Sequence, residues 1–254
     1  MRKIINYLLV VFFIGIFLVS HAHAEQSKQV DVIFLGNMSS GKTWLRARLL
    51  GEDPATFDSE YRLATDKVNS AFSSTTVNGN QVSLLYWDSP GNPKVHDQLL
   101  TFGAQGCQFI VLTVDLKEHT LGSPIASEQV DVVEDLVNNW LMAAARQYPE
   151  AHIIVVGTKK DEVSPAVQQA VLSRLNFFKT YGRYSGRLDC ILTSAKTDRN
   201  SVMEIERIIK RVLGSWTQSR FSSLPIFTLP KNGDEIKLPC GKSIIVKKGL
   251  CTLL

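Results

Sequence analysis

One octapeptide constrains this chain more than any other feature. Gly36-Asn37-Met38-Ser39-Ser40-Gly41-Lys42-Thr43 fits the pattern G-x-x-x-x-G-K-[ST]. Two glycines let the backbone turn so that successive amide N–H groups converge on phosphate oxygens. A helix that starts at Lys42 adds its positive dipole end. Lysine brings a point charge to the β- and γ-phosphates, and the Thr43 hydroxyl is a candidate Mg²⁺ ligand. The flanks comply with this requirement. Asp31-Val32-Ile33-Phe34-Leu35 is an apolar run of strand length, and residues 44–50 read as a helix. The candidate phosphate contacts are therefore Gly36, Ser39, Ser40, Gly41, Lys42, Thr43 and Trp44.

The rest of the chain alternates strand and helix patterns. Residues 26–28 read as a polar link, and the main domain, placed at 29–216, begins in earnest near Val30. A polar loop with Pro54 spans 51–65. Residues 67–76 and 81–87 are strand-like and meet across Asn78-Gly79, a strong hairpin signal. The stretch from Asp88 to Pro93 reads as another loop. Residues 109–114 and 153–156 are buried-strand patterns, and Cys190-Ile191-Leu192 is a shorter one. Helical spacing marks 127–148, 165–178 and the segment carrying Val202, Ile205, Ile208, Ile209, Val212 and Leu213. This order predicts an α/β fold, a P-loop NTPase domain. It has a mostly parallel six-stranded sheet with one antiparallel edge strand and helices on both faces. The ligand site belongs at the carboxyl ends of the strands.

Five motifs in this order resemble the Ras superfamily of small GTPases, most closely its Rab and Rho branches, over roughly residues 30–216. Besides the glycine loop, these are Thr65; Trp87-Asp88-Ser89-Pro90-Gly91-Asn92; Thr158-Lys159-Lys160-Asp161; and Thr193-Ser194-Ala195-Lys196. The resemblance implies a GTP/GDP switch that uses Mg²⁺. Thr43 and Thr65 would hold the metal, with Asp88 behind them through water. Gly91 would meet the γ-phosphate, and Phe57 would pack on the guanine edge. Asp161 would accept from the guanine ring N–H and amine, a pattern that adenine reverses. Lys159 would lay its stem along the base and ribose. Ala195, between Ser194 and Lys196, would donate its amide to the guanine O6. The resemblance places Lys42, Thr65, Gly91 and Asn92 in the catalytic step.

Two departures point to slow turnover. Asn92 stands where the family has a water-orienting glutamine, and Pro93 restricts it further. Met38 occupies a glycine-loop position where fast hydrolysis tolerates only small side chains. Residues 117–126 form a loop roughly ten residues longer than in relatives, a candidate partner surface. Effectors, exchange factors and activating proteins are expected at residues 51–66 and 88–104.

The ends pull in other directions. In residues 1–24, Arg2 and Lys3 precede an apolar run, and Ala22-His23-Ala24 gives an A-x-A pattern. This describes a secretory signal peptide or an uncleaved membrane anchor through residues 4–20. Residues 217–254 form a tail without helical periodicity, with a short hairpin expected near 237–246. It closes on Cys251-Thr252-Leu253-Leu254, a C-a-a-X pattern that makes Cys251 a candidate prenylation site. A signal peptide leads out of the cytosol, whereas GTP and prenyl transferases lie within it. Three arrangements reconcile the two: an anchored domain facing the cytosol, an exported bacterial chain acting in a host cytosol, or a domain working outside without nucleotide. Net charge is +4, of which Arg2 and Lys3 supply half, so there is no electrostatic case for nucleic acid. The four cysteines lack C-x-x-C spacing and read as reduced thiols. Two classes of function remain: a GTP-hydrolysing switch, and a non-catalytic, membrane-tethered adaptor that holds GTP as a structural ligand.

Overall fold

The computed structural model describes residues 27–52, 69–89, 107–117, 140–181, 186–227, 235–237, 243–247 and 250–253. Runs that are apolar on both faces become central strands. In β1 (Ser27–Gly36) and β4 (Phe109–Asp115), alternate residues feed two separate cores. Ile33, Leu35, Ile110 and Leu112 face one core, while Val32, Phe34, Phe109 and Val111 face the other. The period of two along a strand requires this division.

Helices cover both faces, as expected. α1 (Lys42–Leu49) and α4 (Arg199–Gly214) close one core through Leu45, Leu49, Val202, Ile205, Ile208, Ile209 and Leu213. α2 (Met142–Gln147) and α3 (Pro165–Tyr181) close the other through Ala144, Val171 and Leu175. Pro165 opens α3, where its missing N–H costs no hydrogen bond.

β2 (Asn69–Val77) and β3 (Asn80–Asp88) form the expected hairpin, paired antiparallel from Asn69↔Asp88 to Val77↔Asn80. Asn78 and Gly79 both have positive φ, 50° and 79°, the geometry a two-residue turn needs. β3 pairs parallel with β1, β1 with β4, β4 with β5 (His152–Thr158), and β5 with β6 (Leu188–Leu192). These are the six predicted strands.

Five departures from the sequence expectation follow. Among the described residues, four further strands join the six predicted ones in one sheet. β7 (Ile226–Phe227) pairs with Ser27 and Lys28, which is why β1 begins at Ser27 and not near Val30. The strands β8 (Glu235–Lys237), β9 (Ser243–Lys247) and β10 (Leu250–Leu253) extend the sheet beyond β2, so β2 is not its edge. The hairpin expected near 237–246 is the antiparallel β8–β9 pair. Residues 217–227 are not devoid of helix: α5 (Gln218–Ser222) is one short helix, capped by the Thr217 hydroxyl, which accepts from the Arg220 N–H at 3.4 Å. Five residues are too few to show a helical period. Finally, Asp88 is the last residue of β3, not a loop residue.

Candidate functional site

The glycine loop joins β1 to α1 at the carboxyl edge of the sheet, as the doubly wound plan requires. Gly36 turns at φ 140°, where a Cβ would lie 2.3 Å from Thr113 Oγ1 and 2.5 Å from Thr113 O. No side chain fits there. Gly41 sits at φ 88° and caps α1, so the helix N-terminus opens into the loop. Ser40 is fully buried and its hydroxyl is 2.6 Å from that of Thr113, which in turn donates to Leu35 O at 3.0 Å. These bonds tie the loop to the end of β4. Trp140 Nε1 donates to Asn37 Oδ1 at 3.2 Å from the opposite flank.

Lys42 lies inside this cradle, 5% exposed. Its ammonium donates to Gly36 O at 3.0 Å, Asn37 O at 2.7 Å and Ser40 Oγ at 3.4 Å. Burial pulls its pKa down to about 8, partly opposed by the negative charge of Asp88. The loop carbonyls hold the cation in place, but they do not neutralise it. The arrangement calls for an anion.

Asp88 is the counterpart. It is 0% exposed, and neither carboxylate oxygen has a hydrogen-bond partner of good geometry. Burial raises its pKa, while Arg46, the Thr43 hydroxyl and Lys42 hold it down. An unpartnered buried carboxylate beside a threonine hydroxyl at a helix start fits a hard divalent cation with water in its shell. The donor set present suits Mg²⁺, which Thr43 and Asp88 would hold. The neighbouring Ser89 hydroxyl donates to Phe34 O at 2.6 Å and pins the end of β3 against β1.

The base-reading loop follows β5. Thr158 is buried, and its hydroxyl is placed to bond Ser40 O at 2.8 Å and Val114 O at 3.0 Å. One side chain thus fastens the glycine loop to two strand ends. Lys159 adopts left-handed backbone at φ 56°, an uncommon conformation for a side-chain-bearing residue. Its ammonium pairs with the buried carboxylate of Asp115 at the end of β4. Asp161 lies in a single 3₁₀ turn (Lys160–Glu162) and is exposed, open to a ligand. Lys160 N–H donates to Thr193 O at 3.1 Å, and the Lys160 ammonium reaches Asp198 at 2.6 Å. The Thr193–Lys196 turn is held by Ser194 Oγ, which accepts from Thr197 N at 3.0 Å, and by Arg48 Nε, which donates to Ala195 O at 2.7 Å. Arg48 thereby links α1 to the second base loop.

The structure thus brings together Gly36, Ser39, Ser40, Gly41, Lys42, Thr43, Trp44, Asp88, Thr158, Lys159, Asp161, Ser194, Ala195 and Lys196 around one sheet edge. Thr65, Phe57, Gly91 and Asn92, and the partner segments 53–66 and 90–104, lie outside the described residues. Two residues escaped sequence reasoning. Asp115 was legible only as the polar end of an apolar strand. Arg46 is 2% exposed with Nε and Nη1 unpartnered, one turn along α1 from Lys42, where the helical pattern alone gave no sign of a buried charge.

The fold and this site define a P-loop GTPase domain of the Ras superfamily. The model for Roc, described as "Ras of Complex, Roc, domain of DAPkinase", matches residues 31–161, slightly more than half of the chain. The chain belongs to the Roc family. Among solved structures, a bacterial selenocysteine-specific elongation factor, EF-Sec, superposes with a TM-score of 0.55 at 17% identity. The match spans 86% of this chain but only 34% of that one, and at this identity it speaks to the fold alone. No curated protein sequence matches significantly.

Proposed function

We propose that this domain is a GTP/GDP switch that hydrolyses GTP slowly. The observation that carries this reading is the joint arrangement of a buried, carbonyl-held Lys42, an unpartnered buried Asp88 and an exposed Asp161 along one sheet edge. Lys42 and the loop amides bind the phosphates and stabilise charge that develops on them. Thr43 and Asp88 hold Mg²⁺, with Thr65 as the further ligand that reports the γ-phosphate. When bound, Mg²⁺ neutralises phosphate charge. Asp161 selects guanine, Ala195 donates to its O6, and Lys159 packs along it. Gly91 and Asn92 belong beside the attacking water.

Slow turnover is supported by Asn92 in place of a longer amide and by Met38, which is 58% exposed on the glycine loop. Similarity of the switch motifs to the Rab branch supports a role in membrane traffic or signalling. Residues 1–24, as signal or anchor, and Cys251, as a lipid site, would supply membrane attachment. The same two substitutions also favour a second reading, a non-catalytic membrane-tethered GTP-binding adaptor.

Single-turnover phosphate release from GTP-loaded protein separates the two. A slow but Mg²⁺-dependent release, accelerated in Met38→Gly with Asn92→Gln more than in either single variant, supports the switch. No release in any of these variants favours the adaptor. Wild-type release as fast as that of the double variant removes both residues as the brake.

A further inference from the structure

Beside the glycine loop lies a buried charge to which the functional reading gives no task. Arg46 is 2% exposed, on the helix that carries Lys42 and Thr43. It stands four residues after Lys42 and three after Thr43, so the three side chains share one face of α1. A guanidinium does not shed its proton to ease burial, and here Nε and Nη1 have no hydrogen-bond partner. Packing alone does not account for it. An aliphatic side chain would fill this position without taking a charge out of water.

The charge that answers Arg46 is Asp88. α1 packs Leu45 and Leu49 into the same core as Leu84 and Tyr86 of β3, and Asp88 ends that strand. Among the groups that favour the charged form of this carboxylate, Arg46 comes first, ahead of the Thr43 hydroxyl and Lys42. Yet the two residues form no salt bridge, because neither Asp88 oxygen has a hydrogen-bond partner. Buried opposite charges usually close on each other, since only a well-made contact offsets their desolvation. Here they stay apart, and the carboxylate keeps its lone pairs.

We propose that Arg46 is a positioning residue: a built-in counter-charge for Asp88 that leaves both carboxylate oxygens open and weakens the hold on Mg²⁺. A fixed positive charge near a divalent cation repels it, and in a buried site salt screens that repulsion little. The same charge compensates Asp88 before any metal binds, so the metal-free domain does not carry a bare buried anion. Arg46 therefore lowers metal affinity and keeps the domain folded when Mg²⁺ is scarce. The effect on Mg²⁺ rests on the functional reading above; the pairing of the two charges does not.

Two measurements on the full chain test this. The first is thermal melting in EDTA without nucleotide. Arg46→Met should melt lower than wild type, and adding Asp88→Asn should restore most of the loss, because the double change removes both charges. An unfolded Arg46→Met chain beside a folded double variant supports the pairing equally. A double variant that loses the sum of the two single losses, or that does not fold, overturns it. The second is mant-GDP release against free Mg²⁺. The Mg²⁺ concentration at half effect should be several-fold lower in Arg46→Met than in wild type, with Arg46→Gln taking its place if Arg46→Met does not fold. Arg46→Lys, which keeps the charge, should stay near wild type. A structural defect alone would move this midpoint upward, so an unchanged or higher midpoint without the charge overturns the metal effect. Failure of the wild type to bind mant-GDP would count against the functional reading and leave the melting result standing.

Discussion

Single residues at this site are fixed by space and charge more than by chemistry alone. Gly36 is the clearest case. A methyl group there meets Thr113 Oγ1 and O at 2.3 and 2.5 Å, and the backbone sits at φ 140°. Gly36→Ala should therefore lower stability by roughly 1–3 kcal/mol and weaken triphosphate binding, as read by thermal melting and mant-GTP titration. A stable Gly36→Ala protein of normal affinity would show that the loop relaxes freely. Lys42→Ala removes the cation from a buried cradle. Loss of one partner in a contact of this kind costs about 2–5 kcal/mol, so GTP affinity should fall far more than with any change in residues 217–254. Much of the site at this scale was legible in the sequence. The glycine, lysine and hydroxyl positions follow from what a phosphate needs, and Asp161 from the guanine edge. The Asp115–Lys159 pair was not legible, because nothing in the strand pattern says which polar end residue turns inward.

At the level of elements, the base loop and α4 form one unit. Asp198 caps α4 by accepting from Ser201 N at 3.0 Å, and it also pairs with Lys160 at 2.6 Å. The pair with the half-buried Lys160 contributes little, whereas the cap itself is worth about 1 kcal/mol. Asp198→Ala should lower the stability of the whole domain by about that amount, as read from the denaturant midpoint at unchanged slope. An unchanged midpoint would contradict the assignment of Asp198 as the cap of α4. The central strands and α4 were readable because their apolar residues recur over five or more positions. β7 and the pairing of β10 with β2 were not. These strands have two and four residues, too short for a period, and their partners β1 and β2 are more than a hundred residues away in sequence. The same limit hid α5 and the true start of β1.

Across the whole molecule, the face opposite the nucleotide site carries its own charge cluster. His152, at the start of β5, lies 2.8 Å from Asp189, which also pairs with Lys179 at 3.0 Å and Arg211 at 2.6 Å. Burial lowers the His152 pKa; Asp189 opposes this, while Arg211 and Lys179 add to it. A histidine held neutral in the folded state takes up a proton more readily when unfolded. Stability should therefore fall as pH drops through the ordinary histidine range near 6.5, and His152→Gln should flatten that fall between pH 7 and 5 in thermal melts. An unchanged profile would assign the loss to other groups. The cluster lies away from the glycine loop, so guanine binding by His152→Gln at pH 7.5 should match wild type. The central claim is that this sheet edge binds guanine nucleotide through Asp161, and mant-nucleotide titration in Mg²⁺ tests it most directly. Wild type should bind mant-GTP well above mant-ATP, and Asp161→Asn should lose that preference and gain affinity for xanthosine triphosphate. Equal affinity of the wild type for mant-GTP and mant-ATP would contradict the account.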